Sequence, residues 1–136
     1  MNTRRKLLVA GSILAAGSLI NVPVMAQSGA WPNKPIRALV GFAPGGGTDI
    51  VARALAPKMG EVLGQSIVVE NRAGAAGTIA ADTIAKLPPD GYNLLIGHSN
   101  SNAISPFVLP KIGYNPGTDF TPITYIGYVP NVLVVH

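Results

Sequence analysis

The sequence has no cysteine, only two histidines (His98 and His136), and only 12% charged residues. The first absence removes disulfides and lipid-modified thiols. The second leaves too few ligands for a zinc site, so no metal is expected. The third leaves no basic patch. Of the ten lysines and arginines, Arg4, Arg5 and Lys6 fall within the first six positions, and the other 130 residues carry seven basic against six acidic side chains. A nucleic-acid binder must neutralise several phosphates from one face, and so sparse a balance does not do that. No nucleic-acid partner is expected.

What is present is apolar and glycine-rich: 48% hydrophobic residues, 16 glycines and 12 prolines in 136 residues. That is too apolar for a disordered chain and too short for two ordinary domains. Residues 1–26 read as a targeting segment. The basic start precedes an apolar run from Leu7 to Ile20, and Val24-Met25-Ala26 offers a cleavage site before Gln27. A run of 14 residues falls short of the ~20 that cross a bilayer, so a cleaved signal and a soluble periplasmic product are expected. Consecutive arginines before Leu7-Leu8 leave both the general and the twin-arginine export routes open.

The mature chain repeats one pattern. Ile36 to Phe42 is β-prone and ends at Ala43-Pro44-Gly45-Gly46-Gly47, after which Thr48 or Asp49 is the expected helix cap. Ile50, Val51, Ala54, Leu55, Met59, Val62 and Leu63 then keep helical spacing and predict the core-facing stripe, with a kink or restart at Pro57 and an end at Gly64. Ser66 to Glu70 predicts a second strand and Ala73-Gly74-Ala75-Ala76-Gly77 a second small-residue loop. Thr78 to Leu87 predicts a helix with Ile79, Ala80, Thr83, Ile84 and Leu87 inward. After Pro88-Pro89-Asp90-Gly91, Tyr92 to Gly97 predicts a third strand, followed by the polar run His98 to Asn102. Strand, loop and helix in repetition predict an α/β fold with a mainly parallel sheet flanked by helices. Val132 to Val135 starts a further strand just before His136, so an incomplete domain is expected.

Ligands of open parallel sheets sit beyond the carboxyl ends of the strands, where the three loops should converge. Side-chain-free Gly45, Gly46 and Gly47 would let an anion reach backbone amides at a helix N-terminus. PGGGTD lacks the lysine and hydroxyl pair of a P-loop and the spacing of a dinucleotide fold. Asp49 reads equally as a helix cap, as an orienter of the first loop, or as a ligand contact. Glu70 and Arg72 are expected to fix the second loop, and Trp31 to pack the lead-in against the domain. Gly97-His98-Ser99-Asn100-Ser101 follows a strand and falls one residue short of a hydrolase elbow, which keeps a secreted α/β hydrolase remnant using Ser99 as an alternative, beside an inactive fragment.

WPNKPIRALVGFAPGGGTDIVARALA, LGQSIVVENRAGAAGTIAAD, PPDGYNLLIG, DFTPITYIG and PNVLVV resemble the Bug family, the periplasmic solute receptors of tripartite tricarboxylate transporters. The resemblance runs through residues 31–136. It implies a type II periplasmic-binding-protein fold with two α/β lobes closing on a small carboxylate, no enzymatic activity, no cofactor, delivery to membrane permease subunits, and a monomer. Residues 27–136 would form the N-terminal lobe, truncated before the second. By position, Phe42, Ala43, Pro44, Gly45, Gly46, Gly47, Thr48 and Asp49 match one ligand-facing loop. Ala73, Gly74, Ala75, Ala76 and Gly77 match the other. The resemblance implies that these loops hold a carboxylate through backbone groups and bridging water. Ser99, Asn100, Ser101 and Asn102 match a third, polar segment, with Ser101-Asn102 where related members often carry Thr-His.

Overall fold

The computed structural model describes residues 29–128. The targeting segment and the strand expected at 132–135 lie outside the described residues. Three parallel strands, β1 (Ile36–Val40), β2 (Ile67–Asn71) and β3 (Asn93–Ile96), form a sheet in the order β2-β1-β3. Helix α1 (Gly47–Leu63) joins β1 to β2, and α2 (Thr78–Ala85) joins β2 to β3. Because β2 and β3 flank β1 on opposite sides, right-handed crossovers put the two helices on opposite faces. The central strand is therefore covered twice, and Ile36, Leu39 and Val40 are the largest fully buried side chains. Beyond β3 the chain makes a π-helical turn (Asn100–Ile104) and the short α3 (Ser105–Val108).

The expected elements form with two corrections of substance. Helix α1 has the right period and the wrong phase. Asp49, Ala52 and Ala56 are its buried residues, whereas Ile50, Val51, Leu55 and Val62 of the expected stripe are exposed. The buried line is rotated by roughly a third of a turn from the large apolar residues. Small residues let the helix close on the sheet, and close approach decides which face is inward. Helix α2 repeats this, burying Thr78, Ala80 and Ala81 while Ile79 is exposed. The second correction is that Pro57 does not restart α1, which is one helix from Gly47 to a left-handed Gly64.

Polar pairs align the strands. The Arg37 guanidinium on β1 holds both carboxylate oxygens of Glu70 on β2, at 2.9 and 2.8 Å, and lowers the Glu70 pKa. Glu70 thus braces the sheet rather than the second loop, whereas the Arg72 amide extends the pairing to the Val40 carbonyl. Trp31 is half exposed and leans on Tyr92, centroids 6.0 Å apart, at the amino end of the sheet.

Candidate functional site

The first loop begins with a turn whose residues dictate its type. Pro44 has the fixed φ of the second position, Gly45 takes φ +79° at the third, and the Gly46 amide donates to the Ala43 carbonyl at 3.2 Å. This is the residue pattern of a type II turn, and only glycine enters that third position without strain. Gly46, not Thr48 or Asp49, is the N-cap of α1, and it supplies no side-chain hydrogen bond. The amides of Gly47, Thr48 and Asp49 thus open the helix without intrahelical partners, because the first helical bond runs from Ile50 N–H to Gly46 C=O.

Asp49 does the orienting. Its buried carboxylate accepts from the Gly45 amide at 2.8 Å, from Arg53 Nε at 3.0 Å and from Asn71 Nδ2 at 2.8 Å. These donors, Arg53 foremost, lower its pKa from 3.8 to about 2. The Asn71 amide also donates to the Phe42 carbonyl at 3.1 Å and accepts from Arg53 at 2.9 Å. One network therefore ties the first loop to the end of β2. The Gly45 amide is already engaged within it and the Gly46 amide within the turn, which moves the available donors of this loop to the first residues of α1.

The second loop is a left-handed turn. Ala75, Ala76 and Gly77 take φ of +45°, +55° and +89°, closed by Gly77 N–H to Gly74 C=O at 2.9 Å and by the Thr78 hydroxyl to Ala75 C=O at 2.8 Å. Two consecutive alanines in this region are strained, which marks a conformation imposed by its surroundings. The Ala75 and Ala76 amides lie inside the turn and take no part in those bonds.

All three loops meet at Gly77. A Cβ there would stand 3.3 Å from the Phe42 ring and 3.4 Å from the Ser101 Cβ. The structure thus brings the expected residues of all three segments to one end of the sheet, at the crevice where the crossovers diverge from β1. Within the third, Ser101 is buried, its hydroxyl donating to the His98 carbonyl or Asn102 Oδ1, and its carbonyl accepts from Tyr114. Ser99 is exposed. Its hydroxyl is 3.5 Å from His98 Nδ1, which already accepts the Asn100 amide at 3.1 Å. No acid orients that histidine among the described residues, so the hydrolase alternative finds no support.

Sequence reading gave no role to Asn71, Arg53 or Tyr114, and weighed His98 only beside Ser99 in the hydrolase alternative. Asn71 sat between two charged residues, and Tyr114 lay in a proline-rich stretch without periodicity. Only contacts across the fold reveal their roles. A groove of about 620 Å³ lies elsewhere, between α1 and the β2 edge. No helix among the described residues is long and apolar enough to cross a membrane.

A parallel α/β lobe with three converging loops is an architecture that periplasmic solute-binding proteins share with other α/β folds. Similarity makes the class specific. A solved structure of MatC from Rhodopseudomonas palustris with bound malate matches 67% of this chain at 43% identity and a TM-score of 0.65. The R. palustris protein Rpa4515 with adipate matches 68% at 44% identity and the same TM-score. The profile of the tripartite tricarboxylate transporter family receptor, TctC, matches residues 51–136, and the chain belongs to that family. Protein BugT of Bordetella pertussis is 42% identical over the whole chain. The chain spans 41% of the length of BugT and 31% of each of the two solved chains.

Proposed function

We propose that this lobe forms one wall of a periplasmic receptor that captures a small carboxylate and passes it to the permease subunits of a tripartite transporter. Residues 1–26 direct export and are removed after Ala26, and residues 27–136 belong to the N-terminal lobe. The carboxylate sits where the first and second loops present backbone amides, beside the polar segment Ser99 to Asn102. The observation that carries this reading is the start of α1, where a glycine cap leaves successive amides to be capped from outside, on a loop whose Phe42 meets the other two loops at Gly77. The malate and adipate bound by the two similar proteins support the solute class.

Calorimetric titration of the protein expressed from its own gene with mono-, di- and tricarboxylates tests the reading, with a neutral sugar as control. Binding of a carboxylate and not of the sugar is expected, and the reverse would overturn it. Gly47 provides the site-directed arm, because a Cβ there meets nothing within 4 Å. Gly47→Leu should fold normally and lose carboxylate affinity by obstructing the helix start.

A further inference from the structure

We propose that His98 sets solute specificity: its Nε2–H donates to an oxygen of the solute other than the carboxylate held at the start of α1. The proposal rests on the carboxylate reading above. Position comes first. His98 follows β3 by two residues, and its ring packs 4.8 Å from that of Phe42, so it stands where the first and third loops cross. Tautomer comes second. Nδ1 accepts the Asn100 amide at 3.1 Å, and an accepting nitrogen carries no proton, which leaves the proton of the neutral ring on Nε2. Availability is third. Among the described residues Nε2–H has no hydrogen-bond partner, and the ring is only part-buried.

The ring is thus held by tilted packing against Phe42 on one side and by the loop backbone at one nitrogen, with a single donor left over. Such a donor recognises a hydroxyl, a carbonyl or a second carboxylate oxygen. A site that hydrogen-bonds a substrate oxygen discriminates against analogues lacking it. The solute class becomes dicarboxylates and hydroxycarboxylates in preference to plain aliphatic monocarboxylates.

Two variants separate donation from packing. His98→Phe keeps an aromatic ring against Phe42 and removes the donor, whereas His98→Gln places an amide donor near the Nε2 position and removes the ring. Succinate, malate, adipate and butyrate are titrated into the wild type and both variants, with thermal unfolding checked for each. The expected result is that the wild type prefers the first three to butyrate. His98→Phe then loses about tenfold in affinity for the preferred solute and none for butyrate, and His98→Gln retains most of it. Unchanged affinity in His98→Phe, equal loss in both variants, or a wild type that prefers butyrate overturns this inference alone. A wild type that binds no carboxylate overturns the underlying reading and this inference with it.

Discussion

Gly41 and Gly77 are in backbone contact: a Cβ built on Gly41 would stand 2.7 Å from the Gly77 Cα and 3.0 Å from its carbonyl oxygen. Gly41 follows β1 and Gly77 caps α2, so this contact presses the first and second loops together. Neither neighbour is a flexible side chain that could swing aside. Gly41→Ala is therefore expected to destabilise the protein by about 1–3 kcal/mol through overpacking. Gly47→Ala, whose Cβ meets open space, should be neutral or slightly stabilising. Urea unfolding of the two variants beside the wild type checks the contrast.

Asp49 makes stability depend on acid. Its pKa is held at about 2, below the 3.8 of an unperturbed aspartate, so the folded state prefers the ionised carboxylate. A lowered folded pKa contributes stability above the unfolded value and loses it as pH falls through the folded one. The wild type should lose stability between about pH 4 and pH 2, and Asp49→Asn should show a shallower slope across that window. Thermal unfolding as a function of pH reads both slopes.

Asn71 supplies donors to Phe42 C=O and to Asp49 and an acceptor to Arg53. Asn71→Ala leaves these groups without that partner and is expected to cost about 1–3 kcal/mol. Asn71→Asp should be worse, because it removes both donors and sets a second carboxylate beside Asp49. Chemical denaturation ranks the pair, and equal stability of the two would count against the network.

At the other pH extreme, Tyr114 is the sensitive group. Burial first, and then the charge of Asp82, raise its pKa above 10.0, while its hydroxyl donates to the Ser101 carbonyl. A raised folded pKa favours the neutral phenol, so its contribution is present below pH 10 and lost as pH rises through the folded value. Tyr114→Phe should lower stability at pH 7 by about 0.5–1.5 kcal/mol and flatten the loss above pH 10. Fluorescence-detected unfolding from pH 7 to pH 11 distinguishes the two proteins.

Much of the fold was legible because local rules and tertiary structure agree. Gly64 ended α1 as expected, since a left-handed cap needs little beyond the residue itself. The glycine and alanine loops stood at the strand ends because parallel strands require crossovers that begin there. Asp49 was readable only as three possibilities. Its position at the start of a helix suggested a cap, and nothing local revealed that Asn71, 22 positions away, would reach it. Helix α1 misled because large apolar residues were weighed above small ones, while Ala52 and Ala56 were the residues that fitted against the sheet.

Composition and pattern alone determined the class of architecture and the order of strands, loops and helices. Those properties follow from local chemistry: chain stiffness at proline, freedom at glycine, and apolar period. Tertiary structure decided the inward face of α1, the role of Asp49 as a strut, the meeting of three loops at Gly77, and the packing of His98 against Phe42. Each depends on which distant groups come within a few ångströms, and packing and hydrogen bonding at that range act only once the chain has closed on itself.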